Sequence, residues 1–355
     1  RSSDLNVTEN KVRYSNEHAP VSVIICAQNE SENLARFLPS ILEQNYPKYE
    51  VIVVNDGSTD ESGDLLERLE KKHKHLKHTF LPMDAKFTSR KKMCLTIGIK
   101  AAEYDHLLLL DADCEPASKN WISQMMHNYT EGTDIVLGYS KHVVEDDFLG
   151  KIIRYDTLTS AIRHLGYALS GKPYRGVSQN LSYKKSLFNK GVGFSNQLNL
   201  VSGDDTLLIQ QIADDKNTRV EVNSEAITLT YRKETLKTFV YQKDLRLKAF
   251  SQYKQRIKSS ICIESISRTL FYLATAVLLV FFLLNRQWEL SGIILLLFLF
   301  RFTTQAIIIQ KSAKILTEKP FLWSIPVFDF ILPLISAYIM TFGRIGSKRN
   351  DFARS

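Results

Sequence analysis

Asp111 and Asp113 stand one residue apart at the end of the apolar run Leu107–Leu110, in the stretch LLLLDADCEP. Like charges this close repel, and the pair is stable only with positive charge between or beside it. Carboxylate oxygens at this spacing are hard donors of the kind that magnesium and manganese select. An isolated D-x-D is as readily a polar turn, so its neighbours decide its meaning. A second acidic pair, Asp204 and Asp205 in SGDDTLL, precedes an apolar helical run. One of the two could cap that helix; alternatively, one is a general base that removes a proton from an attacking hydroxyl. Lys91 and Lys92 enter a further helical stretch. A lysine or a helix N-terminus beside a divalent cation stabilises a diphosphate as leaving group.

The elements that must position these residues follow from hydrophobic pattern. VSVII (21–25) precedes a helical pattern from Ser31 to Gln44, and EVIVV (50–54) precedes NDGSTDES and a helical run from Gly63 to Lys74. LKHTFL (76–81) is followed by a helix near Lys91–Ala102 and then by HLLLL. Short β-rich runs alternating with helices predict a parallel sheet with right-handed crossovers. Ligands of such sheets bind beyond the C-terminal strand ends, where Gln28–Glu30, Asn55–Asp60 and Asp111–Asp113 all fall. No G-x-G-x-x-G follows the first strand and no G-x-x-x-x-G-K-[ST] occurs, which disfavours a dinucleotide oxidoreductase and a P-loop nucleotidase.

Taken together, VSVIICAQNE, VVNDGSTD, LLLLDADCEP, GVSQNLSY and SGDDTLL resemble, in order and spacing, the family 2 glycosyltransferases of the GT-A fold, over roughly residues 20–250. The resemblance implies an α/β, Rossmann-like nucleotide-diphospho-sugar transferase domain that moves a sugar from a nucleotide-sugar, commonly a UDP-sugar, with inversion at the anomeric carbon. It assigns Ala27, Gln28, Glu30 and Asp56 to the nucleotide, Lys91 to the diphosphate, Asp111 to the ribose and metal, and Asp113 to the metal, Mn2+ or Mg2+. Asp205 becomes the catalytic base, and Asn180, Asp204 and Arg246 the acceptor side. The chain departs from the family pattern at Cys26 and Gln28, where Pro and Tyr are usual, and at Asn55, where Asp is frequent. The Q-x-x-R-W of polymerising members is missing: Gln242 is present, but Leu245 and Arg246 fill the Arg and Trp places. This favours transfer of one sugar per encounter.

The 355 residues carry a net charge of +8, and between 232 and 258 nine Lys/Arg face two acids, a local +7. Leu236, Phe239, Val240, Leu247 and Phe250 recur among those cations at helical spacing, which predicts a basic helix lying on an anionic leaflet rather than a nucleic-acid site. Three apolar segments follow, Thr269–Leu284, Leu290–Ile309 and Phe321–Phe342, each approaching or reaching the ~20 residues that cross a bilayer core. Pro326 and Pro333 interrupt the third, which crosses fully or re-enters. Arg301 and Asp329 come out at similar depth and are expected to pair. The four cysteines form no CxxC pair, so neither a disulfide framework nor a zinc site is indicated.

The organisation expected is a tether (1–19), a GT-A domain (20–231), a basic interfacial region (232–262), a membrane region of two or three spans (263–343) and a basic tail (344–355). The expected location is multi-pass in a bacterial inner membrane, with the catalytic domain on the cytoplasmic side and a lipid or lipid-linked acceptor. Two rivals stand beside this reading. A phosphatase of the haloacid dehalogenase type also places D-x-D after an apolar strand, although Glu115 occupies the place where it needs Thr or Val. A membrane subunit that binds nucleotide-sugar without turning it over is the other.

Overall fold

The computed structural model describes residues 15, 18–81, 89–190, 204–232 and 235–350, with the side chains of residues 190, 204, 205, 323 and 342–350 outside the description. The tether, apart from residues 15, 18 and 19, and the tail's side chains fall outside it. The chain divides into two compact units, one of residues 1–146, 160–233 and 315–317, the other of 147–159, 234–314 and 318–355.

The first unit is built on strands β1 (Val21–Ala27), β2 (Tyr49–Asn55), β3 (Leu76–Phe80) and β4 (His106–Asp111), connected by helices α1 (Ser31–Leu42), α2 (Ser62–Lys72) and α3 (Arg90–Ala101). The apolar runs form buried strands because helices cover them, and α1 turns Leu34, Phe37, Leu38 and Ile41 inward from an otherwise polar surface. The four strands pair in parallel in the order β3-β2-β1-β4. Helix α3 comes so close to the sheet that a Cβ on Gly98 would lie 2.6 Å from Ile24 Cγ2. Only glycine fits that approach.

Beyond β4 the sheet departs from the all-parallel expectation. After β5 (Cys114–Pro116), α4 (Trp121–Met126), β6 (Ile135–Leu137), β7 (Ser140–His142) and α5 (Phe148–Leu169), the chain enters β8 (Leu181–Lys184) antiparallel to β4. Strands β6 and β9 (Thr218–Val220) complete a mixed seven-stranded sheet, β3-β2-β1-β4-β8-β6-β9. A smaller sheet sets β10 (Thr228–Thr230) between β5 and β7, with Thr230 opposite Cys114.

Helices α6 (Lys185–Lys190) and α7 (Asp204–Ile212) complete the first unit, and the second is helical. Thr235 caps α8 (Leu236–Phe250), and α9 (Gln255–Leu284), α10 (Trp288–Ile315) and α11 (Ile325–Asn350) follow. The basic stretch 232–258 is therefore two helices rather than one, broken between Phe250 and Gln255. Within it Lys243 is buried and pairs with Asp156 at 2.7 Å, so this cation is spent inside the unit. Helices α9 and α10 are long and apolar enough to cross a membrane, whereas the apolar part of α11, Ile325–Thr341, is shorter.

The pairing expected for Asp329 is corrected. Its buried carboxylate accepts hydrogen bonds from Tyr155 (2.8 Å), Arg268 (3.2 Å), Tyr272 (3.4 Å) and Gln305. Arg301 instead lies over the rings of Phe271 and Tyr272, 4.5 and 5.8 Å from their centroids. Arg268, one residue before the apolar segment begins, is the partner.

Candidate active site

Parallel register brings the candidate residues together. Cys26 pairs with Val54 on one side and with Asp111 on the other, and Ala27 pairs with Asn55. The three strands therefore end level, and the polar loops after β1, β2 and β4 share one edge. The loop after β1 turns at Asn29, whose φ of 54° lies in the left-handed region that Asn tolerates. Its side chain accepts from Thr59 N (2.8 Å), and its own N donates to Ser58 Oγ (2.9 Å). Asp60 accepts from the backbone N of both Ser31 and Ser62 at 3.0 Å, tying the starts of α1 and α2 together. Asn55 accepts from Ser58 N at 3.0 Å, so the amide standing where Asp is frequent shapes the loop. These bonds account for NDGSTD as a brace for the first strand's loop.

An open cleft of about 250 Å³ lies at this edge, lined by Cys26, Ala27, Gln28, Glu30, Asp56, Lys91, Cys94, Asp111, Ala112, Asp113 and Arg232. It gathers Ala27, Gln28, Glu30, Asp56, Lys91, Asp111 and Asp113, all named from sequence, on one surface. The repulsion between the two D-x-D carboxylates is resolved by a separate cation for each. Lys91 donates to Asp111 Oδ1 at 2.8 Å, and Ser178, itself 3.0 Å from Lys91 Nζ, donates to the same oxygen at 3.2 Å. Arg232 places Nε and a terminal nitrogen each 2.9 Å from Asp113 Oδ2. Arg90 pairs with Asp56, whose carbonyl accepts from Gln28 Nε2 at 3.2 Å.

Electrostatics divides the carboxylates. Burial pushes the Asp111 carboxyl up, but Lys91, Arg232 and the Ser178 hydroxyl outweigh it and hold it below its ordinary range. Burial raises Glu30, against a hydrogen bond from Asn33 and with the Asp113 charge adding to the rise. The Cys26 thiol is pushed well up by its hydrogen bond to Cys94 and by burial.

Other sequence-named residues fall elsewhere. Asn180, assigned to the acceptor side, is 1% exposed and its amide is fully engaged. It accepts from Trp121 Nε1 (3.0 Å) and donates to the carbonyls of Tyr139 (2.8 Å) and Ala226 (2.7 Å). Its role here is to join three segments of the core. Arg246 lies in the second unit, 3.4 Å from Asp156. Asp204 and Asp205 open α7, and their side chains lie outside the described residues. Lys92, the neighbour of Lys91, is fully buried. Sequence reasoning missed Ser178, Arg90 and Arg232. Arg90 adjoins the lysines and was within reach; Arg232 is 119 residues from its partner and carried no spacing signal.

Residues 22–178 match the model of the family described as glycosyl transferase family 2. That stretch, somewhat under half of the chain, is therefore a family 2 glycosyltransferase domain on the mixed GT-A sheet described above. Over 148 residues it is 30% identical to the poly-beta-1,6-N-acetyl-D-glucosamine synthase of Staphylococcus aureus, covering 40% of this chain and 34% of that one. With the synthase of the same name from Staphylococcus epidermidis it shares 34% identity over 93 residues, 26% of this chain and 21% of the relative. The match thus spans about a third or less of these relatives' length. Among solved structures, a mannosyltransferase of Pyrobaculum calidifontis, in complex with GDP-Man and Mn2+, has the same fold with a TM-score of 0.58 at 15% identity, over 94% of this chain and 90% of that one. The phosphatase alternative has no footing in this fold or family.

Proposed function

We propose that this protein transfers a sugar from a nucleotide-sugar, a UDP-sugar in the first instance, to a membrane lipid or lipid-linked hydroxyl, with inversion and one sugar per encounter. The observation that carries the proposal is the cleft in which two carboxylates and two cations, Asp111, Asp113, Lys91 and Arg232, meet at the level strand ends. Donors of this kind are held by charge on the diphosphate and by the polar loop residues Gln28, Glu30 and Asp56 around the nucleoside.

The donor set suits a divalent cation shared with the substrate. Among the described residues no group of three His, Cys, Asp or Glu could hold an ion unaided, which is the pattern of Mg2+-type sites that use one or two carboxylates and complete the shell with phosphate oxygens. Asp111 and Asp113 would hold it, and when bound it supplies charge stabilisation to the departing diphosphate. Lys91, already directed into the cleft, adds a second positive charge at the same place. Asp205 takes the proton of the acceptor hydroxyl as its oxygen bonds to the anomeric carbon and the bond to the diphosphate breaks.

Membrane acceptors are favoured by α9 and α10, because an active site tethered to a bilayer meets membrane hydroxyls at raised local concentration. Lys311, Lys314 and Lys319, around the end of α10, favour the cytoplasmic side for that end by the positive-inside tendency. The test is a panel of labelled nucleotide-sugars incubated with the protein and extracted membrane lipids, followed by mass spectrometry of the lipid phase. Sugar-bearing lipid supports the proposal; donor binding with no lipid product favours the non-catalytic subunit.

A further inference from the structure

The ion pair on Asp113 blocks the very carboxylate that the proposed metal site needs. Asp113 Oδ2 lies 2.9 Å from two guanidinium nitrogens of Arg232, and Oδ1 accepts from the Cys114 thiol at 3.4 Å. Cys114 is fully buried, so its sulfur stays beside Asp113, whereas the Arg232 side chain is 34% exposed in the cleft against 7% for Asp113. A cation approaching Asp113 therefore displaces the guanidinium.

The surrounding structure lets the side chain move while its backbone stays. Tyr231 N donates to the carbonyl of Asp113 at 2.9 Å, extending the β10–β5 ladder by one step. The Tyr231 ring stacks on Phe37 with centroids 4.8 Å apart, and the Arg36 guanidinium lies 4.9 and 4.7 Å from the two ring centres. Arg232 is thus anchored beside Asp113 by its neighbour, with its long side chain the only part that must swing.

We propose that Arg232 is an exchangeable counter-ion: without donor it occupies Asp113 and excludes the divalent cation, and with donor it passes to a diphosphate oxygen as the cation takes its place. A guanidinium fork suits carboxylate and phosphate alike, and the cleft then stays charge-balanced in both states. Metal alone binds poorly because it must break the pair; metal with a diphosphate binds well because the guanidinium gains a new anion. The inference rests on the reading of Asp113 as a metal ligand.

The test measures Mn2+ binding by the electron paramagnetic resonance of free Mn2+, on full-length wild-type, Arg232→Ala, Arg232→Lys and Asp113→Asn proteins matched by thermal melts. Loss of one bidentate charge-assisted contact is worth about tenfold in affinity. Arg232→Ala should therefore bind Mn2+ alone about fivefold to tenfold tighter than wild type, yet bind UDP or GDP in the presence of Mn2+ about tenfold weaker. Arg232→Lys should fall between, since it keeps the charge without the fork. Unchanged or weaker Mn2+ binding in Arg232→Ala overturns the exchange, as does nucleotide binding equal to wild type. If Asp113→Asn binds Mn2+ in the presence of UDP or GDP as tightly as wild type does, it is the metal-ligand reading that fails.

Discussion

Replacing Asn180 by alanine separates a structural role from a substrate role at a residue for which sequence and structure point in different directions. The substitution removes one accepted and two donated hydrogen bonds, orphaning Trp121 Nε1 and the carbonyl of Ala226, while the Tyr139 carbonyl keeps its bond from Thr228 N at 3.2 Å. All three residues are buried, Trp121 completely. A buried polar group left without its partner costs about 1–3 kcal/mol, so the two amount to about 2 kcal/mol or more, a large share of the 5–15 kcal/mol typical of a domain. At about 2–4 °C per kcal/mol for a unit of this size, the melting temperature should fall by roughly 4–8 °C. Gly138→Ala should destabilise comparably without removing the amide, because a Cβ there would stand 2.5 Å from Asn180 Cγ and Nδ2 and push the amide off its partners. The assay is thermal unfolding in detergent, paired with steady-state kinetics on the fraction that remains folded. The structural account expects a lower melting temperature and a near-normal acceptor KM at low temperature. A melting temperature within about 2 °C of wild type, together with a raised acceptor KM, would refute it and return Asn180 to the acceptor side.

Two further outcomes follow from the same geometry. Arg268→Ala or Asp329→Ala should each reduce the yield of folded protein, since a broken buried pair costs about 3 kcal/mol or more; Arg301→Ala should do so less, and the swap Arg268→Asp with Asp329→Arg should recover part of the loss. Detergent-extracted yield by fluorescence-detected chromatography reads this, and equal losses for Arg268→Ala and Arg301→Ala would contradict the pairing. Asp60 gives a pH dependence: burial opposes its ionisation, but hydrogen bonds from Ser62 and Ser31 hold its carboxyl down at about 2. A depressed folded value stabilises above the unfolded value of about 3.9 and is lost as pH falls toward 2. The melting-temperature gap between wild type and Asp60→Asn should thus be full at pH 7 and shrink below pH 4; a gap that widens on acidification would contradict the assignment.

What the sequence made legible is local. The apolar runs of β1, β2 and β4 and the helices between them lie within a residue or two of where periodicity put them, because each pattern is read over a single element. Strand ends follow from that, and with them the shared edge at Gln28, Asp56 and Asp111. The reversal at β8 was not legible, since its direction is set by the path of residues 114–180 and not by its own four residues. Arg232 was hidden for a similar reason. Counted with eight other cations it looked like membrane charge, while the β10–β5 pairing that delivers it to Asp113 is a long-range contact. Asn180 sat in a motif that implied a substrate role, and nothing in its neighbours announces three core partners. Arg268 lay one residue outside the apolar window, so a depth argument confined to that window chose Arg301.

The central claim is that a nucleotide-sugar held in the Asp111–Asp113 cleft gives its sugar to an acceptor hydroxyl deprotonated by Asp205. Transfer to lipid by wild-type protein and by Asp205→Asn, each at saturating donor with Mn2+ and with donor affinity measured in parallel, tests it most directly. A general base contributes about 10²–10⁴ in rate, so the account predicts labelled lipid from wild type, and from Asp205→Asn a kcat lower by a hundredfold or more with donor affinity unchanged. Transfer by Asp205→Asn at the wild-type rate, or loss of donor binding in step with turnover, would contradict it.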